Sequence, residues 1–239
     1  ECRQGVLGGF DGKTLIHPSQ IAAANAAFSP TEEAVRQARQ IIARRPHAML
    51  LGGDIAVQDR LNHQGMHRFD YLMRDLFPAW QMLAGQIPMY ATWDDHDYFD
   101  DDLSGIPEGY SDDDRRGVRE VFLQSWNNPS YGMEDSGEGV FFRTRIGPAD
   151  VIMLDNRYFR DKEKGWFLGP EQMDWLETQL LDCKGPFIIL SCGTMWSDYV
   201  SNGKDSWGVW DPEGREKIFQ LIEKNKIGGV LLISGDRHG

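Results

Sequence analysis

The chain has 239 residues, of which 41% are apolar and 11% aromatic, so it is long enough for one large or two small domains with packed cores. Its formal net charge of -12 at pH 7 argues against a nucleic-acid or anionic-membrane surface, because no Lys/Arg-rich block is present; a phosphate-bearing substrate would need added cations. No apolar run approaches the ~18 residues of a membrane span, and Cys2, Cys183 and Cys192 are too few for a disulfide framework.

The sequence pattern of residues 1–45 predicts a segment separate from the rest of the chain. A Gly-rich turn and a short extended piece precede "SPTEEAVRQARQIIARR", in which Ser29 is the expected N-cap and Pro30 the first helical residue. One face of this helix carries the apolar residues Val35, Ala38, Ile41 and Ile42. The segment is therefore predicted to be mostly helical.

From Pro46 onwards, short apolar runs that end in Gly or Asp alternate with amphipathic stretches. The predicted strands are "HAMLLGGD", "IPMYATWDD", "VFFRTRIG", "DVIMLDNR", "PFIILSCG" and "GGVLLISGD". The predicted helices are "MHRFDYLMRDLF", "DRRGVREVFLQSW", "GPEQMDWLETQLLD" and "DPEGREKIFQLIEKN". This alternation favours an α/β layered fold with largely buried strands.

Three of the predicted strands end in carboxylates and imidazoles. These residues are Asp54 after the first strand, Asp94, Asp95, His96 and Asp97 after the second, and Asp236 and His238 after the last. Groups at the carboxyl ends of adjacent strands converge on one crevice of an α/β sheet. Aspartates and histidines without a thiol suit Mn, Fe, Zn or Ca, and two such metals can share a bridging carboxylate and activate water for phosphoryl transfer.

Each piece also has a simpler interpretation. "GGD" alone is usually a turn, "GDRH" can be a strand end with a surface arginine, and "DDHDYFDDD" alone is usually a solvated acidic loop. Their joint occurrence at three strand ends favours the metal site. An EF-hand loop from Asp100 and Asp102 is a weak match, because its twelfth position is Ser111 and Pro107 lies inside it. A looser calcium site at Asp100 to Asp102 stays open.

From about Pro46 to Gly239 the chain resembles the alkaline phosphatase D (PhoD-like) branch of the metallophosphatase superfamily. The resemblance is carried by "LLGGD", "YATWDDHDY", "WNNPSYG", "VIMLDNRYFR", "LGPEQMDWL" and "LISGDRHG", in the family's order. It implies a four-layer α/β/β/α sandwich and the hydrolysis of phosphate mono- or diesters with bound Fe, Ca or similar ions such as Mn or Zn.

The resemblance also implies roles for individual residues. Asp54 corresponds to the metal-bridging carboxylate, Asp95 to a second ligand, and Asp236 and His238 to ligands from the last strand. Asp94 and Asp100 are lesser candidates.

Two further residues are implied to act in catalysis. His96 corresponds to a proton donor or a phosphate-contacting imidazole. Arg157 of "LDNRYFR" is expected either to meet the substrate phosphate or to form a structural pair with Asp155.

Two features depart from the family's pattern. The family usually places a tyrosine ligand three residues after the Gly-Asp aspartate, where this chain has Val57. It also has a strand ahead of "GGD" that supplies a further ligand, and that strand is missing here. The resemblance therefore predicts an acidic site with an incomplete ligand set.

Residues 5–42 resemble instead the C-terminal part of the citrate lyase β-subunit and malyl-CoA lyase family, through "GFDGKTLIHPSQI" and "AFSPTEE". That family's metal-binding acids and CoA-contacting arginine lie upstream of this piece, so no lyase activity is expected, and His17 and Gln20 are interpreted as relics of barrel packing. The predicted organisation is a non-catalytic fragment, 1–45, fused near Ala43 to Pro46 to a PhoD-like domain, 46–239, that is truncated at both ends.

Three functions follow from these patterns. The leading hypothesis is a metal-dependent phosphoesterase that acts on a small phosphate ester, in which activated water attacks phosphorus and His96 assists the leaving oxygen. The second is a non-catalytic metal-binding remnant. The third, favoured only by the N-terminal piece, is a CoA-ester lyase.

Overall fold

The structure, a computed structural model, describes residues 31–55, 64–133, 137–197 and 205–236. The expectations for His17, Gln20, Val57 and His238, and most of the segment assigned to the lyase-like fragment, lie outside the described residues. No described helix is both long and apolar enough to cross a membrane.

Two compact units make up the chain. The first comprises Glu1–Pro46 and Tyr71–Pro88, and the second His47–Asp70 and Met89–Gly239. All the strands, and every site residue discussed below, belong to the second unit.

The described strands form two sheets. They are β1 (Met49–Leu51), β2 (Met89–Ala91), β3 (Phe142–Ile146), β4 (Ala149–Met153), β5 (Phe187–Cys192) and β6 (Val230–Ser234). Strands β1 and β2 pair in parallel, with Met49 opposite Met89. The other sheet has the order β3-β4-β5-β6; β3 and β4 are antiparallel, and the remaining pairs are parallel. All six strands predicted from the apolar runs are present.

Alternation along β4 and β5 divides their side chains between two cores. Val151 and Met153 pack with Leu50 and Tyr90 of the two-stranded sheet, so the sheets face each other. The opposite face of the larger sheet buries a second group of strand residues, Ile152, Ile188, Leu190 and Cys192. This group packs against Leu176 and Leu180 of one helix and Ile218 of another. The prediction of an α/β fold is thereby confirmed.

Eight helices lie in the described residues. They are α1 (Glu32–Ala43), α2 (Gln64–Leu76), α3 (Pro78–Ala84), α4 (Asp95–Tyr98), α5 (Asp112–Ser125), α6 (Gly169–Asp182), α7 (Trp207–Trp210) and α8 (Pro212–Lys224). The four helices predicted downstream of Pro46 correspond to α2, α5, α6 and α8. Helices α3, α4 and α7 are too short to show a periodic pattern in the sequence.

The N-caps of two helices can be compared with the expectations from the sequence. Helix α1 begins at Glu32, where the Thr31 hydroxyl accepts the N–H of Ala34 at 3.1 Å, so the expected N-cap at Ser29 was wrong by two residues. Ser111, the twelfth position of the EF-hand comparison, is the N-cap of α5 and exchanges hydrogen bonds with Asp114.

A fully buried carboxylate ties the end of β4 to its surroundings. Asp155 accepts the indole N–H of Trp93 at 2.7 Å and the backbone N–H groups of Val140, Arg157 and Tyr158 at 2.9 to 3.0 Å. These donors come from three chain segments that are distant in sequence. Asp155 therefore joins the turn after β4 to the segment after β2 and to the approach to β3.

Replacing this carboxylate is expected to be costly. Asp155→Ala leaves four buried N–H donors without an acceptor, and we expect the free energy of unfolding to fall by about 3 kcal/mol or more. Urea denaturation measures this loss. Asp174→Ala on the exposed face of α6 is the control, with an expected change within about 0.5 kcal/mol. Equal stability of the two variants would contradict the assignment.

Candidate functional site

The site lies where four strands end. Beyond their carboxyl ends, β1 leads into Gly52 to Asp54, β2 into Asp94, β5 into Gly193 and β6 into Gly235 and Asp236. Within each of the two sheets the parallel strands end at the same edge, and the close approach of Gly52 to Gly235 brings these two edges together.

Glycines allow these strand ends to approach one another closely. A Cβ atom on Gly235 would lie 2.5 Å from the carbonyl oxygen of Gly52. A Cβ atom on Gly193 would lie 2.7 Å from the carbonyl oxygen of Trp93 and 2.8 Å from the Cβ of Asp94. Side chains at these positions would push the carboxylate-bearing turns apart.

Two of the aspartates have left-handed backbone conformations. The φ angle is 55° at Asp54 and 65° at Asp236. Non-glycine residues adopt this region at a cost and keep it only where surrounding contacts enforce it, which is common at functional sites. Both follow a glycine at a strand end, so the two turns resemble each other.

The carboxylates and the imidazole at the described strand ends form two overlapping groups that could hold a metal ion. Asp54 groups with Asp95 and His96, and also with Asp94 and Asp236, and within each group the candidate ligand atoms lie within 4.8 Å of one another. Asp54 is common to both. Of the residues predicted from the sequence, the structure thus brings together Asp54, Asp95, His96 and Asp236, and it adds Asp94, which was a lesser candidate.

Three buried carboxylate oxygens in these groups have no hydrogen-bond partner among the described residues. They are Oδ1 of Asp54, Oδ2 of Asp94 and Oδ1 of Asp95. Buried polar atoms are nearly always satisfied, and several unsatisfied carboxylate oxygens facing one region are what a cation site requires. The residues present therefore fit the binding of one or two hard metal ions.

The crowding of these carboxylates changes their pKa values. Burial, followed by repulsion from Asp94 and Asp95, raises the pKa of Asp54 to about 8. Burial and repulsion from Asp94 raise the pKa of Asp236 to about 6. Burial also acts on Asp95, but the positive charge of Arg157 and the backbone N–H of Asp102 outweigh it and lower its pKa.

Arg157 is the cation that compensates part of this charge. Its side chain is fully buried; Nε donates to Oδ1 of Asp94 at 2.5 Å, and Nη2 bonds Asp205 and lies 3.6 Å from Oδ1 of Asp95. Burial opposes its charge, but Asp94 and Asp205 raise the pKa of Arg157 above its ordinary value. The alternative expectation, an ion pair between the side chains of Arg157 and Asp155, is wrong. The contact between these two residues is a hydrogen bond from the backbone N–H of Arg157 to the carboxylate of Asp155.

Other residues around Asp94 were not predicted from the sequence. Asn156 and Thr194 donate to the same oxygen as Arg157, Oδ1 of Asp94, at 2.8 and 3.1 Å. Asp205 joins Arg157 to Arg160, whose Nη2 donates to the Thr194 hydroxyl at 2.9 Å. The signal for Thr194 was present, because "SCGT" places it directly after a strand, as "GGD" places Asp54.

A third acidic group lies beside the first two. It consists of Asp95, Asp102 and Asp205. Arg157 and Arg160 form ion pairs with Asp205, so part of the charge of this group is compensated. Asp102 belongs to the group, and the looser calcium site expected at Asp100 to Asp102 stays a prediction.

The N-terminal part of the chain and the remainder resemble different known proteins, as their sequence patterns do. A sequence model of the PhoD-like phosphatase family matches residues 63–239. The solved structure of PhoD aligns with a TM-score of 0.56 and 20% identity, over 80% of this chain and 44% of PhoD. Purple acid phosphatase PPD1 from yellow lupin (Lupinus luteus) seeds aligns with a TM-score of 0.56 and 17% identity, over 88% of this chain and 34% of that one. At these sequence identities, both alignments show a similarity of fold.

A different group of proteins matches the N-terminal part. The (3S)-malyl-CoA thioesterase of Cereibacter sphaeroides is 45% identical over 67 residues, 28% of this chain and 24% of the thioesterase. The mitochondrial citramalyl-CoA lyase of Homo sapiens is 40% identical over 52 residues, 22% of this chain and 15% of the lyase. The chain thus spans about a quarter or less of these curated relatives. Both resemblances inferred from sequence motifs are confirmed.

The close approach at Gly193 provides a test of the site's packing. Gly193→Ala is expected to displace Trp93 or Asp94 and to lower the free energy of unfolding by about 1–3 kcal/mol. Gly228→Ala is the matched control, because no atom lies within 4 Å of a Cβ there, and it should change stability by no more than about 0.5 kcal/mol. Thermal or urea denaturation compares the two variants; an equally stable Gly193→Ala protein contradicts the packing.

The raised pKa of Asp54 predicts an unusual pH dependence for the metal-free chain. The folded state holds a proton up to about pH 8 that the unfolded state releases near pH 3.8, so stability present in acid is lost as the pH rises through 8. Asp54→Asn cannot ionise. In EDTA it should melt at a higher temperature than the unsubstituted chain at pH 8 and at nearly the same temperature at pH 4. A lower melting temperature for Asp54→Asn at pH 8 would contradict the prediction.

Proposed function

Because the chain belongs to the PhoD-like phosphatase family, we propose that it hydrolyses phosphate mono- or diesters with metal ions held at the carboxyl ends of its strands. The single observation that carries this proposal is the position of Asp54, which is common to both groups of candidate ligands. A carboxylate shared in this way suits the bridge between two metal ions.

We propose the following ligands. Asp54, Asp94, Asp95 and Asp236 would hold the ions, and His238, two residues after Asp236, would add an imidazole ligand. The unsatisfied oxygens of Asp54, Asp94 and Asp95 support this assignment. Fe, Ca, Mn and Zn are all compatible with a set of carboxylates and imidazole.

When bound, such ions supply Lewis acidity for the activation of water and of the phosphoryl group. The chain's own residues do the rest. His96, half-buried beside Asp54 and Asp95, protonates the leaving oxygen of the ester.

The role of Arg157 is to orient Asp94. A phosphate contact by this residue stays a prediction, but its complete burial and its bonds to Asp94 and Asp205 favour an action through the carboxylates. Held on Oδ1 by Arg157, Asn156 and Thr194, Asp94 keeps its Oδ2 available for a cation.

The division of the chain into a fragment at 1–45 and a PhoD-like domain at 46–239 is likewise a proposal. The match to the thioesterase spans 67 residues, more than the 45 of that fragment, and the phosphatase model begins at residue 63. We propose no lyase function for the fragment. A metal-binding remnant without turnover is the competing function.

Two substitutions separate the proposed roles. Asp54→Ala should abolish metal binding, because it removes the shared ligand, whereas His96→Ala should retain metal and lower turnover by about 10²–10⁴-fold. Metal content after loading with Fe, Ca, Mn or Zn, and hydrolysis of nitrophenyl phosphate mono- and diesters, are measured for both, with Asp174→Ala as the surface control.

The outcomes are distinct. An unsubstituted chain that binds no metal refutes the proposed centre. Metal binding without hydrolysis favours the remnant. Equal metal loss in Asp54→Ala and His96→Ala would show that His96 is a ligand and would refute its role as the proton donor.

A further inference from the structure

A buried carboxylate outside the two ligand groups links the two turns that carry them. Asp97, the third residue of α4, is 1% exposed. Its Oδ1 accepts the backbone N–H of Ile55 at 3.0 Å, and its Oδ2 accepts the backbone N–H of Asp94 at 3.2 Å. One side chain therefore holds together main-chain segments that lie about 40 residues apart in sequence.

Each of the two bonds acts next to a proposed ligand. Ile55 follows Asp54 directly, so fixing its N–H fixes the peptide plane after the left-handed Asp54, a conformation that persists only where neighbouring contacts enforce it. Asp94 is the N-cap of α4, and its own carboxylate is held by Arg157. The two bonds thus act on the backbone on both sides of the candidate centre.

We propose that Asp97 is a positioning residue, which sets the separation of Asp54 and Asp94 and thereby the affinity of the centre for its metal ions. The inference rests on the proposed function for the identity of the centre. Asp97 is in neither ligand group that contains Asp54, and each of its oxygens accepts a backbone N–H, so it acts through the ligands and does not bind the metal itself.

A role of charge alone is the competing explanation, because Asp97 also repels Asp54 electrostatically. Two variants separate charge from position. Asp97→Asn and Asp97→Ala remove the same charge, but asparagine keeps one carbonyl oxygen that can accept a backbone N–H, and alanine keeps none. Asp150→Ala is the matched control. Asp150 is also buried and accepts the backbone N–H groups of Lys184 and Gly185, but it lies at the beginning of β4, whereas the site lies beyond strand ends.

Calorimetric titration with Mn²⁺ measures the consequence. The Mn²⁺ affinity of Asp97→Ala should fall about 10–100-fold, that of Asp97→Asn should fall less, and that of Asp150→Ala should stay within about twofold of the unsubstituted chain. Equal affinities for Asp97→Asn and Asp97→Ala would assign the effect to charge and overturn the proposal. So would an Asp97→Ala protein that binds Mn²⁺ as tightly as Asp150→Ala.

Amide hydrogen exchange provides a readout that needs neither metal nor turnover. In the metal-free proteins, exchange at Ile55 should be faster in Asp97→Ala than in Asp150→Ala, because alanine offers no acceptor to the Ile55 N–H. If the unsubstituted chain binds no Mn²⁺, or binds it without hydrolysing esters, the proposed function fails and this measurement decides the positioning role by itself. Unchanged exchange at Ile55 in Asp97→Ala overturns it.

Discussion

The repulsion among carboxylates at the strand ends is the constraint around which this part of the molecule is organised. Asp54, Asp94, Asp95 and Asp236 converge there, and one buried guanidinium, Arg157, faces them. Taking that cation out of water is costly, and its attraction to Asp94, Asp205 and Asp95 opposes this cost and raises the pKa of Arg157 above its ordinary value. One positive charge cannot neutralise four carboxylates. Protonation of Asp54 removes one further negative charge in the metal-free chain, and bound cations would compensate more.

This arrangement couples metal binding to stability. A cation that displaces the proton of Asp54 removes a penalty that grows with pH, so a metal ion at this position would stabilise the fold as well as the site. The same region stores backbone strain at Asp54 and Asp236 and brings main chains into contact at Gly52 and Gly235. Backbone strain of this kind is common at functional sites.

The hydrophobic core that supports the site lies on the face of the larger sheet opposite the two-stranded sheet. Leu176 and Leu180 of α6 and Ile218 of α8 pack against Ile188 and Leu190 and bury this face of the sheet. The packed sheet sets where its strands end. The buried carboxylate of Asp155 then holds the turn after β4, because it accepts the backbone N–H of Arg157. The site is thus displayed on loops, but the loops are anchored by short-range contacts to a packed core.

Local sequence was sufficient for the six strands and the four longer helices downstream of Pro46, and it named the carboxylates that the strand ends bring together, because apolar runs and Gly-Asp pairs are short patterns that report on the residues carrying them. It placed the helix cap at Ser29 instead of Thr31 and did not predict α4. Tertiary structure alone decided the partners: Arg157 meets Asp94 across 63 residues of sequence, and Thr194 meets it across 100. Charge and hydrogen-bonding capacity are written in the sequence, but which groups satisfy one another depends on the approach of distant strand ends, which only folding brings about.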